Sequence, residues 1–276
     1  MRAASKPLTW IGAGLARYLS RRVHVHGVAP NTPQDLLLAT LRPGDVLLVE
    51  GHSRVSTAIK YLTQSTWSHA ALYVGGDLAD AGGATGHCFI EADIIEGVRS
   101  VGAGEFADYH TRICRPVGLD AAACGQVTRY AIDRIGSHYD LRNVFDLARY
   151  LLPTPPVPTA MRRRMLAFGS GDPTRAICST LIAQAFQSIR YPILPIVHRH
   201  DASTPECPGC IAEAMHIRHY SLFAPRDFDV SPYFEIVKPW LAQGFDYRSI
   251  VWDDLEEGDR SVTAPQPRPV DPSPDA

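Results

Sequence analysis

No stretch of this 276-residue chain approaches the about 20 consecutive apolar residues that a membrane-spanning helix needs, so a chain that crosses a bilayer is not expected. A large charge of one sign is missing too: the formal net charge is -2, which argues against a nucleic-acid partner. The beginning lacks the layout of a secretory signal. Trp10 to Ala16 is mildly apolar, but Arg17 interrupts it and no clean cleavage site follows. Cysteine is sparse, with six residues. Cys88, Cys114 and Cys124 stand scattered among apolar neighbours and read as buried thiols, which suits a reducing compartment. No internal repeat is present. These absences leave a globular protein expected in the cytoplasm, with one enlarged domain or one domain carrying appendages.

The charge that is present is unevenly placed. Residues 1–30 carry Arg2, Lys6, Arg17, Arg21 and Arg22 and no acid, whereas 251–276 hold Asp253, Asp254, Glu256, Glu257, Asp259, Asp271 and Asp275. Residues 1–40 therefore read as a basic extension and 241–276 as an acidic, proline-rich tail too poor in apolar residues to order itself. Within the extension, Trp10, Ile11, Leu15, Tyr18 and Leu19 share one helical face across residues 8–22. Such a face docks on the protein's own core, or lies on an anionic surface as a peripheral contact with the inner membrane.

From residue 41 the chain reads as strand-rich. Arg42-Pro43-Gly44-Asp45 is a turn before the short buried strand Val46 to Val49, and a helical segment follows over 54–62. Trp67 to Gly76 contains a second strand with His69 near its start, and Cys88 to Ala92 a third, forming an antiparallel hairpin. Alternation puts Ala70, Leu72 and Val74 on one face and His69, Ala71 and Tyr73 on the other. Glu91 interrupts an apolar strand and needs a partner. Val98 to Val101 and Arg112 to Val117 can complete the sheet. Asp120 caps a helix expected to run to about Ile135, with Val127, Tyr130, Ala131 and Ile135 as its apolar stripe. A further helical run over 140–152 stops at the prolines of 153–158, and Arg162, Arg163 and Arg164 form a basic cluster.

The run Ala176 to Phe186 follows a Gly, Ser and Pro breaker and turns helical, with Ile177, Leu181, Ile182, Ala185 and Ile189 on a buried face. Cys178 falls in its first turn, where unpaired backbone N–H groups and the helix dipole favour thiolate over thiol. Each chemical residue has an ordinary reading as well. A cysteine on an apolar helix face packs, a histidine finds a hydrogen bond, and Glu91 pairs with an arginine. Taken together they suggest a thiol hydrolase: Cys178 as nucleophile, His69 as base and Glu91 to orient it.

The segments Pro43-Gly44-Asp45-Val46-Leu47, Thr66 to Val74, Ile90-Glu91-Ala92, Ser137-His138-Tyr139-Asp140-Leu141 and Ile177-Cys178-Ser179 resemble the circularly permuted papain-like hydrolases of the YiiX/YebB group, within the NlpC-type superfamily. The resemblance covers about residues 41–190, and the hydrolase domain is placed at 41–240. It implies an α+β fold in which a small antiparallel, barrel-like sheet packs on the helix carrying the cysteine. It also implies that the His strand precedes the Cys helix, reversing the papain order, as this chain does. Cys178, His69 and Glu91 fall on the family's catalytic positions, and Tyr139 on a tyrosine expected to line the cleft. Ser68 and Ser179 are assigned to the substrate-binding surface. The related lecithin:retinol acyltransferase type also runs His before Cys, but its Asn-Cys-Glu-His-Phe signature is absent.

Residues 191–220 form a Cys/His-rich insertion with His198, His200, Cys207, Cys210, His216 and His219. Cys207 and Cys210, with His198 and His200, are candidates for a structural zinc site. A second CxxC is missing, and the other readings are a redox pair, without a thioredoxin-like βαβ pattern around it, and an unliganded surface loop. No other cofactor is expected. The expected activity is cleavage of an amide, in a peptide or an amidated small molecule, through an acyl-thioester. The alternatives are a lipid acyl hydrolase or acyltransferase at a membrane surface, and a non-catalytic binding module that keeps the cleft.

Overall fold

The structure, a computed structural model, describes residues 30, 32–76, 78, 86–93, 96–137, 177–201, 207, 211–242 and 244–249. Several expectations fall outside these residues: the amphipathic segment 8–22, Tyr139, the helical run 140–152, the Arg162 to Arg164 cluster, Cys210 and the tail beyond 250.

The chain divides into two units, Met1–Gln243 and Gly244–Ala276. The second is described over 244–249 and contains a short 3-10 turn, Tyr247–Ser249, in which Arg248 lies over the Tyr247 ring.

The first unit is mixed α+β, built on a six-stranded antiparallel sheet. Its strands are β1 (Val46–Val49), β2 (His69–Tyr73), β3 (His87–Asp93), β4 (Gly97–Gly102), β5 (Thr111–Pro116) and β8 (Phe234–Val237), in the order β4-β3-β2-β1-β5-β8. Among the described residues no pairing joins β4 to β8, so the expected barrel-like closure is not seen and these two strands are the edges. The expected hairpin is present: β2 pairs β3 with Ala71 opposite Glu91 and Tyr73 opposite Phe89.

The period-two alternation assigns the two faces of the sheet. One carries Val46, Leu48, Ala70, Leu72, Ile90, Ala92, Val98 and Cys114. Against it pack helices α3 (Ala121–Ile132) and α4 (Ile177–Ser188), through Val127, Ala131, Leu181, Ile182, Ala185 and Phe186. Leu181, Ile182 and Phe186 are fully buried, and each such side chain contributes about 1.5–3 kcal/mol of burial free energy. The other face carries Leu47, Val49, Ala71, Phe89, Val101 and Ile113 and is covered by Leu37 and Leu41 of α1 (Gln34–Thr40) and its C-cap, and by Ala103 and Phe106 of a 3-10 turn, Ala103–Phe106. The last part of the stretch read as an extension therefore belongs to the core.

Local signals explain most of the element ends. Ser53 caps α2 (Arg54–Thr63) by accepting from the Ser56 N–H, and Gln64 ends it in the left-handed conformation at φ 51. Asp120 caps α3 by accepting from the Ala123 N–H at 2.7 Å. That helix stops at Ile132 rather than Ile135, because Gly136 turns the chain at φ +84 and gives its N–H to the Val98 carbonyl. Ile135 is consequently exposed and Ile132 takes its place in the core.

The turn before β1 is tied down by Asp45. Its carboxylate takes a two-pronged contact from Arg115 of β5, at 2.9 and 2.7 Å, and accepts the Arg42 N–H at 2.8 Å.

Residues 191–220 differ from the expected loop. They contain a two-stranded ribbon, β6 (Ile196–Asp201) and β7 (Ile211–His216), with Ile196 opposite His216 and His198 opposite Ala214. A short helix α5 (Pro225–Asp229) then leads to β8, and α6 (Pro239–Ala242) follows it. No helix among the described residues is long and apolar enough to cross a membrane.

Candidate active site

His69 opens β2, and the residues just before it are held by contacts from several parts of the chain. Trp67 donates its indole N–H to Asp229 of α5 at 3.1 Å. The Ser68 N–H donates to the Val49 carbonyl at 3.1 Å, and the Ser68 hydroxyl accepts the Gly51 N–H at 2.9 Å. These bonds anchor the strand start, so the His69 backbone is fixed before its side chain makes any contact.

Alternation puts His69 on the face shared by Ala71, and Ala71 lies opposite Glu91. The imidazole and carboxylate therefore meet: His69 Nε2 is 2.6 Å from Glu91 Oε2. The Phe106 ring lies beside the histidine, with centroids 6.5 Å apart. His69 keeps 26% of its side chain exposed against 4% for Glu91, so solvent and ligands reach the imidazole while the carboxylate is shielded.

Glu91 is shared. Arg99, directly opposite it on β4, donates Nε–H to Oε1 at 2.8 Å and brings a terminal nitrogen to 2.6 Å from the same oxygen. The arginine partner foreseen as the ordinary reading and the histidine partner foreseen as the chemical one are thus both present. Burial alone would raise the Glu91 carboxyl, but the His69 and Arg99 charges and hydrogen bonds outweigh it and bring it down to about 2.

Cys178 is the second residue of α4, and it is buried and free of any disulfide. It meets His69: the imidazole hydrogen-bonds with both Cys178 and Glu91. With Nε2 engaged by Glu91, Nδ1 is the nitrogen left for the sulfur. Burial works against a charged imidazole, yet the Cys178 sulfur and the Glu91 carboxylate together hold its pKa well above the ordinary histidine range. A sulfur, an imidazole and a carboxylate thus form one connected chain, an arrangement with which nucleophilic catalysis is chemically compatible.

Other expected site residues have different tasks. Ser68 and Ser179 were assigned to the substrate surface, but both are buried. The Ser179 hydroxyl donates to the Phe223 carbonyl at 2.7 Å, locking α4 to the segment before α5, and Ser68 serves the Gly51 turn. Their polar atoms are spent inside the scaffold.

Of the zinc candidates, Cys210 lies outside the described residues. His198 lies on the ribbon with its ring 4.7 Å from that of His216, and His200 pairs in register with Ala212. Cys207 is disulfide-bonded, so its sulfur is not the thiolate that zinc coordination needs. Among the described residues no group of three or more histidine, cysteine or acidic side chains is placed to hold a metal ion.

Sequence reasoning did not identify Arg99, Asp229 or Phe106. For Arg99 a signal existed. Asp93 and Gly97 close the β3–β4 turn as a facing pair, with Asp93 accepting the Glu96 N–H, and counting outward from that pair puts Glu91 against Arg99.

No family model matches this chain, and no curated protein matches it. Among solved structures it is similar to the metalloprotein yiiX from Escherichia coli O157:H7, at 16% sequence identity and a TM-score of 0.41, over 71% of this chain and 96% of that one.

Proposed function

We propose that the protein is a cysteine hydrolase of permuted papain-like fold that cleaves an amide, in a peptide or an amidated small molecule, through an acyl-thioester. One observation carries the reading: His69 hydrogen-bonds on one side with Cys178, at the start of a helix, and on the other with an ionised, buried Glu91. The chain order of the three, His69 then Glu91 then Cys178, agrees with the permuted arrangement.

In this mechanism the Cys178 sulfur, its proton taken by His69, attacks the carbonyl carbon and forms a C–S bond. Backbone N–H groups at the start of α4 stabilise the oxyanion. As the tetrahedral intermediate collapses, the C–N bond breaks and the imidazolium gives its proton to the departing amine. His69 then takes a proton from water as the oxygen attacks the thioester. The acid leaves and the sulfur recovers the proton. Glu91 holds the imidazole in one tautomer and stabilises its charge throughout. A cytoplasmic protein acting on small amides is consistent with this chemistry.

The test is labelling of the full chain with a thiol-directed activity probe, comparing wild type with Cys178→Ala and His69→Ala, followed by a screen of amide and ester libraries. Labelling confined to Cys178 and abolished in His69→Ala, with amide turnover, is the expected result. A Cys178 that reacts no faster than Cys88 points instead to a binding module. Turnover of acylated lipid without turnover of amides points to the membrane acyl hydrolase.

A further inference from the structure

We infer that Arg99 is a positioning residue of the Cys178–His69–Glu91 unit, holding one oxygen of Glu91 so that the other stays aimed at His69. The inference rests on the hydrolase reading above and adds a fourth member to its machinery.

The two carboxylate oxygens are divided between partners. Oε2 faces His69 Nε2 at 2.6 Å, while Oε1 takes both the Nε–H of Arg99 at 2.8 Å and its terminal nitrogen at 2.6 Å. Arg99 is itself held on its far side. One terminal nitrogen donates to Glu96 at 3.0 Å and the other lies 3.3 Å from Glu105. Glu96 belongs to the β3–β4 turn, and Glu105 to the 3-10 turn that also supplies Phe106, the ring beside His69. Three carboxylates thus surround the guanidinium, and the Glu91 carboxylate cannot rotate without losing its contacts to Arg99 and His69.

This clamp has a consequence for the proton on His69. An ionised carboxylate only accepts hydrogen bonds, whereas a protonated one also donates. While Arg99 keeps Glu91 ionised, Nε2 must be the donor to it, and Nδ1 is reserved for the sulfur. A protonated Glu91 could offer its own hydrogen to Nε2, drawing the imidazole into the wrong tautomer and removing the support for its charge. A cross-strand ion pair kept only for sheet stability would carry no such link to the sulfur.

The charged groups facing each member are few. Glu91 meets His69 from β2 and Arg99 from β4; His69 meets Cys178 from α4 and Glu91 from β3. Arg99 meets Glu91 and Asp93 from β3, Glu96 from the turn and Glu105 from the 3-10 turn. Without the guanidinium, the burial of Glu91 is opposed by His69 alone, so its carboxyl takes up a proton at higher pH than in wild type.

The experiment is the rate of alkylation of Cys178 by iodoacetamide between pH 2 and 9 in the full chain, located by peptide mass spectrometry, for wild type, His69→Ala, Arg99→Gln and Arg99→Lys. Circular dichroism and melting check that each variant is folded. In wild type, Cys178 should react faster than Cys88 and should depend on His69. Arg99→Gln is expected to move the acid limb of the profile upward by about one pH unit, with the rate at alkaline pH little changed. Arg99→Lys, which keeps the charge but loses the fork, is expected to fall between the two. A folded Arg99→Gln with the wild-type profile overturns the inference and leaves the hydrolase reading standing. A wild-type Cys178 no faster than that of His69→Ala overturns the hydrolase reading, and the inference with it. Should Arg99→Gln fail to fold, an acid limb in Arg99→Lys identical to wild type overturns the inference.

Discussion

Trp67 and Asp229, 162 positions apart in the chain, are joined by a hydrogen bond from the indole N–H to a carboxylate oxygen at 3.1 Å. The other oxygen of Asp229 meets Arg112 at 2.6 Å, and that guanidinium lies 4.9 Å from the centroid of the Trp67 ring. The triangle fixes the chain two residues before His69.

Asp229→Ala leaves the buried indole without this acceptor and removes the anion facing Arg112. Urea unfolding should show a loss of about 1–3 kcal/mol. Asp229→Asn keeps one accepting oxygen and should lose less. Equal losses in the two variants would place the cost in the lost charge facing Arg112 rather than in the hydrogen bond.

Glu91→Gln keeps the shape of the carboxylate and removes its charge. On the proposed mechanism turnover should fall by about 10²–10⁴-fold, since the imidazolium loses its counter-charge and the tautomer its restraint. Stability should also lose part of its pH dependence. The folded-state carboxyl is lowered from 4.5 to about 2, so its contribution is complete above pH 4.5 and disappears as pH falls toward 2. The wild-type advantage in urea midpoint over Glu91→Gln should therefore hold at pH 6 and shrink between pH 4.5 and 3. A gap that stays constant over that interval would contradict the ionised carboxylate.

Gly51→Ala probes the turn that supports the start of β2. A methyl group there would run into the hydroxyl of Ser56 and come within 2.9 Å of that of Ser68, the group that accepts the Gly51 N–H. One of these hydroxyls must move. The expected cost is about 1–3 kcal/mol, read by thermal melting, together with slower alkylation of Cys178 as Ser68 pulls on its neighbour His69.

Arg115→Ala strands Asp45, a carboxylate that is 1% exposed and is neutralised by that arginine. Removing one partner of a buried pair costs about 3–5 kcal/mol, so a large drop in melting temperature is expected at pH 7. Asp45→Asn combined with Arg115→Ala should recover part of it, and the absence of any recovery would place the cost in lost packing of the arginine stem.

Much of the architecture was legible because it is written in short-range patterns. The alternation of His69 to Val74 assigned both faces of β2 correctly, and the apolar spacing from Ile177 placed Cys178 in the first turn of its helix. Asp120 announced its helix, since a cap acts on N–H groups only three residues away. Failures came where the outcome depended on distant partners. Ile135 continued the stripe of α3 on paper, yet Val98 of another strand receives the Gly136 N–H and ends it. The segment 191–220 offered cysteines and histidines but no strand pattern strong enough to reveal the β6–β7 ribbon.

By itself the sequence determined which side chains can do chemistry and which way each points along its own element, because side-chain direction follows from periods of 2 and 3.6 residues. It thereby nominated Cys178, His69 and Glu91. Only the tertiary structure decided that they meet, that Arg99 takes one oxygen of Glu91, and that Ser68 and Ser179 face inward. Strand register and helix docking are set by the burial of whole faces, a sum over many residues from all parts of the chain, and no local pattern carries that sum.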